Sequence, residues 1–210
     1  MISPSENRTS ISTMAALGGC LLILLILAVI GAMWAIWRYN NLIALRNQVA
    51  NAWKQIDVQL KRRHDLIPNL IASVKGEMQF EQDTLEKVIA ARNTAVAARG
   101  VADAAEKENA LTQSLSRLFA LAENYPTLKA NENVKTLMEE LASTENRIGF
   151  ARQFYNDIAT RFNTAQQVFP DNFIAQTFKF QPVELFQIRD EAERATPKVD
   201  LSIRSDRTLS

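Results

Sequence analysis

The sequence predicts an all-α protein: an N-terminal transmembrane helix continuing into an up-down-up-down, antiparallel four-helix bundle of long helices. Four observations predict it. Residues Thr9 to Trp37 contain no charged side chain, and Met14 to Trp37 are almost wholly apolar. The remainder is rich in Ala, Leu, Gln, Glu, Lys and Arg, all good helix formers. It holds only three glycines, Gly76, Gly100 and Gly149, too few for the turns of a β fold. Finally, its apolar residues recur at three- and four-residue spacing.

The apolar run comes first. A helix rises about 1.5 Å per residue, so Met14 to Trp37 reaches about 36 Å, enough to cross a hydrocarbon core of about 30 Å with some tilt. Arg8 and Arg38 bound the run, and Trp34, Trp37 and Tyr39 sit where an interfacial aromatic belt lies. The run is long for the core of a cleaved signal peptide, and no A-x-A site follows it. Leu17-Gly18-Gly19-Cys20 loosely resembles a lipobox, but it precedes the apolar core Leu21 to Ile30 instead of following it. Cys20 is the lone cysteine and makes no intramolecular disulfide. Arg8 on the N-terminal side stands against Arg38, Arg46 and Lys54 on the other. This asymmetry favours an outer N-terminus and a cytoplasmic C-terminal part.

The expected plan is a short tail over 1–13, the span over 14–37, a helical domain over 38–186 and a polar, disordered tail over 187–210. Leu42, Leu45, Val49, Ala52/Trp53, Ile56 and Leu60 form the first seam, and nothing between Trp37 and Leu66 breaks its helix. Pro68 should kink or restart that helix, because it removes a hydrogen bond and clashes with the preceding turn. Leu85, Val88/Ile89, Arg92 and Val96 form a second seam, interrupted by Arg92 and ended by an αL cap at Arg99-Gly100. Ala104, Leu111, Leu115, Leu118 and Ala122 form a third, ended by Tyr125-Pro126. From an Asn131 N-cap, Val134, Leu137, Leu141, Thr144, Ile148, Ala151, Tyr155, Ile158, Phe162, Ala165 and Phe169 keep a coiled-coil-like alternation up to Pro170. Phe169 to Phe186, with five phenylalanines, is too apolar to float free and should pack back on the bundle.

Several segments carry a family resemblance. Asp57-Val58-Gln59-Leu60-Lys61-Arg62-Arg63-His64-Asp65-Leu66-Ile67-Pro68-Asn69-Leu70 resembles the signature of the LemA family. So do Val74-Lys75-Gly76, Tyr125-Pro126-Thr127-Leu128-Lys129-Ala130-Asn131, Thr144-Glu145-Asn146 and Ala151-Arg152-Gln153-Phe154-Tyr155-Asn156. Phe169-Pro170 followed by Phe178-Lys179-Phe180 resembles the family's C-terminal end. The likeness runs from about Tyr39 to Phe186. Thr127 stands where the family usually has Asp, and Lys179 where it often has Gly. The resemblance implies a single-pass protein of the bacterial cytoplasmic membrane, a four-helix bundle and no firmly assigned biochemical activity.

Chemistry is sparse. The one histidine, His64, lacks the Glu-x-x-His spacing of a bundle di-iron site, because Lys61 stands three residues before it. One histidine and one cysteine within the span do not make a zinc site. Asp65 adjoins His64, but adjacency in sequence makes no triad. Three scattered glycines make no phosphate loop. No catalytic residue, metal or cofactor is expected. Lys61-Arg62-Arg63 reads as a solvated face neutralised by Glu77, Glu81, Asp83 and Glu86. A net charge of +1 argues against nucleic acid.

The residues expected to carry structure or interaction are few. Asp65, Pro68 and Asn69 mark a kink at which Asn69 bonds the opened backbone. Arg92 and Glu145 are expected to form a partly buried ion pair, with Thr144 and Asn146 beside it on the seam. Tyr125 and Pro126 mark a helix end, and the resemblance adds Arg152, Tyr155 and Asn156. Three function classes remain: a non-enzymatic, membrane-anchored interaction scaffold, a self-assembling membrane-shaping or envelope-stress protein, and, least favoured, a hydrolase built on His64. The partners expected are the lipid bilayer, an unidentified protein and a second copy of the chain.

Overall fold

The computed structural model describes residues 4–187, and every regular element among them is helical. The expectation of a disordered C-terminal tail therefore falls almost wholly outside the described residues. Helix α1 runs unbroken from Pro4 to Val74, 71 residues or about 105 Å. A short 3₁₀ turn at Gln79–Glu81 leads to α2 (Gln82–Val96), which is followed by α3 (Val101–Ala122), α4 (Pro126–Ala130), α5 (Glu132–Ala165) and α6 (Asp171–Thr177). The apolar run lies in α1, and it is the one described stretch long and apolar enough to cross a membrane. The rest of the protein buries none of its most hydrophobic part.

Past the apolar run, α1 packs along α5, α2 along α3, and α6 against α1. Helices α1 and α5 are antiparallel: Arg38 pairs with Asp171 just beyond α5, Trp53 stacks on Tyr155, and Arg62 reaches Glu140. The first seam is buried at Leu42, Val49, Ala52, Ile56 and Leu60, and the third at all five expected positions. The α5 seam holds from Val134 to Ala165, but Phe169 lies past the helix and is exposed. In α2 the buried row is Leu85, Val88 and Ala95, whereas Ile89 and Val96 face solvent. The small Ala95 allows a closer approach than Val96 would.

Three boundaries sharpen or correct the sequence reading. Asn131 caps α5 as expected, its side chain accepting from the backbone of Asn133 and Val134. Gly100 has a positive φ, but it opens α3 and does not cap α2 in αL. Its φ of 83° with ψ of 172° belongs to a region that only glycine occupies readily. Pro68 neither ends nor restarts α1, which continues to Val74.

The Phe-rich segment packs back, at the end of the bundle nearest the apolar run. Phe178 and Phe180 lie on Tyr39, and Phe186 lies beside Trp53. Two asparagines on α5 hold the segment by paired side-chain bonds. Asn163 donates to the Val183 carbonyl and accepts from its N–H, both at 2.9 Å. Asn156 does the same for Phe186, at 3.1 and 2.8 Å. Seven helical residues rise about 10.5 Å and three extended residues cover about 10 Å, so the two spacings match. Tyr155 adds a bond from its hydroxyl to the Glu184 carbonyl.

Lys179, where the resemblance often has Gly, adopts a φ of +54°. That conformation costs a residue with a Cβ about 1–2 kcal/mol, offset by the extra unfolded-state freedom of glycine, about 0.5–1 kcal/mol. Lys179→Gly should therefore raise stability by up to about 1 kcal/mol, measured by denaturant unfolding.

Candidate functional site

The buried apolar side chains fall into two clusters. One joins Leu42–Leu60 of α1 to Ile148–Phe162 of α5 and to the returning segment. The other joins Ile67–Val74 of α1 to α2, the second half of α3 and the first part of α5. Between them lies a polar layer. On α1 it falls at Arg63 and His64, on α3 at Glu108, and on α5 at Thr144 and Glu145.

Arg63 is the centre of this layer, its side chain only 1% exposed. Its guanidinium forms ion pairs with Glu108 of α3 and Glu145 of α5. It also donates to the Thr112 hydroxyl at 2.9 Å, and Thr112 donates to Glu145 at 3.0 Å. His64 Nε2 approaches Glu108 Oε1 to 2.8 Å, without the alignment of a hydrogen bond. Burial pushes the Glu108 carboxyl toward a higher pKa. The imidazole of His64 and the charge of Arg63 outweigh it and hold the pKa below the ordinary glutamate value. Arg152, half-buried on α5, lies within the field of this layer. Its pKa is lowered, by burial first and by the charge of Arg63, against the opposing charge of Glu145. Its guanidinium also lies over the Phe186 ring.

Several expectations change here. Arg92 does not pair with Glu145: the carboxylate of Glu145 is taken by Arg63 and Thr112, while Arg92 bonds elsewhere. Arg92 Nε donates to the backbone carbonyl of His64 at 3.2 Å. That carbonyl lies four residues before Pro68, which has no N–H to offer it. Arg92 thus supplies the donor that proline removes, a role expected of Asn69. Asn69 instead accepts, through its own carbonyl, from the Ser73 hydroxyl. Nor is Lys61-Arg62-Arg63 one solvated face. Successive helical residues point about 100° apart: Lys61 pairs with Asp65, Arg62 with Glu140, and Arg63 enters the core.

The other singled-out residues are more local. Thr144 is buried and returns its hydroxyl to the Glu140 carbonyl. Asn146 is exposed. Pro126 starts α4. The Tyr125 hydroxyl donates to Glu81 at 3.3 Å, and Thr127 donates to Glu77 at 3.0 Å.

One cavity adjoins the layer. It measures about 470 Å³ and is lined by His64, Glu108, Arg92, Asp57, Asp65 and apolar neighbours. Its lining includes no serine, threonine or cysteine. The Asp65 carboxylate is engaged by Lys61, which holds its pKa low, and so it does not orient His64. The arrangement joins α1, α3 and α5, with Glu108 shared between Arg63 and His64.

Over the described residues, fold and site define a class: an all-helical protein with one helix long and apolar enough to cross a membrane, closed around a buried ion network. The chain belongs to the LemA family, whose model matches residues 52–201. It is similar to Protein LemA of Metamycoplasma hominis, 29% identical over 178 residues covering 82% of this chain and 80% of that protein. It is also similar to Magnetosome protein MamQ 2 of Paramagnetospirillum magneticum, 24% identical over 71% of this chain and 65% of that protein. Magnetosome protein MamQ of Magnetospirillum gryphiswaldense is 23% identical over 71% and 64%. The chain thus spans just under two thirds of these MamQ proteins.

Two predictions follow from the layer. Arg63→Met should cost about 3–5 kcal/mol, because it strands the carboxylate of Glu108. The pair of changes Arg63→Met and Glu108→Leu should recover most of that loss in denaturant melts. With its folded pKa depressed, ionised Glu108 stabilises the fold above its unfolded value of about 4.3. That contribution is lost as pH falls through the lower folded pKa, so melts of Glu108→Gln should be flatter than wild type below about pH 4.

Removing the guanidinium with Arg92→Met should destabilise the protein, and far less so in a Pro68→Ala background, where the helix again bonds the His64 carbonyl. The coupling between the two changes should be roughly 1 kcal/mol. Additive effects would show that Arg92 does not replace the missing donor.

Proposed function

We propose that this protein is a non-enzymatic, membrane-anchored helical scaffold. Helices α1, α2, α3 and α5 act as an up-down-up-down antiparallel bundle that presents its sides to protein partners. One observation carries the reading: α1 continues without a break from the exposed apolar run into the core. A span and a bundle built on one helix transmit position and orientation rigidly, with no linker between them. The engagement of Glu108 by both Arg63 and His64 supports structural use of the polar layer over the hydrolase reading. The lysine and arginine asymmetry supports an outer N-terminus, with the bundle on the cytoplasmic side of a bacterial inner membrane.

A second reading, self-assembly at the bilayer, is favoured by one surface. Val58 of α1 and Phe150 and Phe154 of α5 are exposed along a groove of about 550 Å³, edged by Lys54 and Arg147. An apolar strip of this kind suits a second copy of the chain. The relatives named as magnetosome proteins are compatible with either reading.

The test uses the full chain in bacterial membranes. Alkaline carbonate should leave it in the membrane pellet, and protease added to intact spheroplasts should leave the part beyond Arg38 whole. Release by carbonate would sink the anchor, and digestion in intact spheroplasts would reverse the orientation. Light scattering of the detergent-solubilised chain decides the second reading: a monomer there removes self-assembly.

A further inference from the structure

The end of the bundle nearest the apolar run carries features that the scaffold reading leaves unused. After α5 the chain turns through Gln166–Pro170 into α6, and this corner is tied to the exit of the apolar run. Arg38, the first charge after the run, lies 3.0 Å from Asp171 at the start of α6. Arg38 also lies over the rings of Trp37 and Trp34, at 4.8 and 5.9 Å. Trp34 and Ala35 still belong to the apolar run, yet they are partly buried against the cluster that contains Ile174 and Ala175. The corner therefore overlaps the last turn of the run in height. Any bilayer that holds the run meets the corner too.

Its outward side chains suit that position. Phe169 is 81% exposed and Phe173 70%, with Val168 and Phe178 also exposed. Phenylalanines this open to water leave apolar surface that an acyl-chain environment would cover. Beside them, Arg38 and Arg161 line a cleft of about 420 Å³ with Val168 and Phe169. Apolar side chains next to cations match the boundary between acyl chains and phosphate headgroups. Asp171, the acid at the corner, is neutralised by Arg38 and buried.

We infer that the α5–α6 corner is a second bilayer contact, with Phe169 and Phe173 entering the lipid interface beside the exit of α1 and Arg161 meeting phosphate headgroups. The inference rests on the membrane-anchor reading. Two contacts on one face of α1 limit both the tilt of the bundle and its rotation about the helix axis. One helix alone would leave both free.

The test is spin-label depth measurement on the full chain carrying Cys20→Ser, in vesicles of phosphatidylethanolamine and phosphatidylglycerol. Labels are placed singly through Phe173→Cys at the corner, Leu25→Cys in the apolar run and Phe80→Cys at the far end, where the native side chain is exposed. All three sites face outward, so the fold should tolerate the labels. The expected result is a label at 173 that is several-fold less accessible to a water-soluble nickel chelate than the label at 80, and more accessible to oxygen. Equal nickel access at 173 and 80, with 25 shielded, would overturn the corner contact and leave the anchor standing. Nickel access at 25 would overturn both. Shielding at 173 that disappears in bilayer discs holding one chain each would identify a second copy as the occupant and overturn the lipid contact.

Discussion

The rest of the structure depends on the burial of Arg63. A guanidinium removed from water keeps its charge, so it needs carboxylates at fixed places around it. Glu108 and Glu145 supply them from α3 and α5, helices whose other buried contacts with α1 are apolar side chains of little directional preference. Leucines and alanines at three- and four-residue spacing pack in several registers of similar energy, whereas a buried ion pair is satisfied in one. The layer therefore acts as an index mark between two apolar clusters, fixing the height of α3 and α5 against α1. Polar residues on otherwise apolar seams set register in this way at some cost in stability.

The neighbouring residue extends the constraint to α2. His64 contacts Glu108 through its side chain and receives Arg92 through its backbone. The carbonyl is free because Pro68 stands one turn later. An interior proline usually costs a helix about 3 kcal/mol, so its place four residues after the busiest point of α1 has a physical consequence. It exposes a strong acceptor on the face of α1 that α2 crosses. Two consecutive residues, Arg63 and His64, thus bond to three other helices, Arg63 as donor to α3 and α5 and His64 as acceptor from α2.

Much of the architecture was legible from the sequence. The apolar run, the all-helical class, the Asn131 cap and the seams of α1, α3 and α5 follow from local periodicity and end signals. The polar layer was legible only as gaps. The first seam stops at Leu60, the third skips from Ala104 to Leu111 past Glu108, and the α5 seam carries Thr144 where an apolar residue belongs. Reading those gaps together would have placed Arg63, Glu108 and Glu145 at one height. A run of three basic residues instead suggested a single surface, although a helix sends them in three directions. Pairing Arg92 with Glu145 failed for a related reason: both interrupt seams, but opposite charge does not say which helices are neighbours. Asn163 went unnoticed because its partner is backbone, and a backbone partner leaves no mark in sequence.

The returning segment shows how one strand of irregular chain can serve as an architectural element. Past α6 it has no helix or sheet to satisfy its backbone, yet it covers the apolar joint between α1 and α5. Asn156 and Asn163 resolve that conflict by offering amides whose donor and acceptor copy a peptide group. Their seven-residue separation on the helix equals the three-residue separation of Val183 and Phe186 along the segment. The match holds the segment parallel to the helix axis over that stretch. With Phe178 and Phe180 on Tyr39 at one end and Phe186 beside Trp53 at the other, the segment braces about the first four turns of α1 beyond the apolar run. Those turns would otherwise be where bending between the apolar run and the packed helices concentrates. The brace thus adds side-chain and backbone contacts to the continuous helix at the point where the apolar run joins the packed helices.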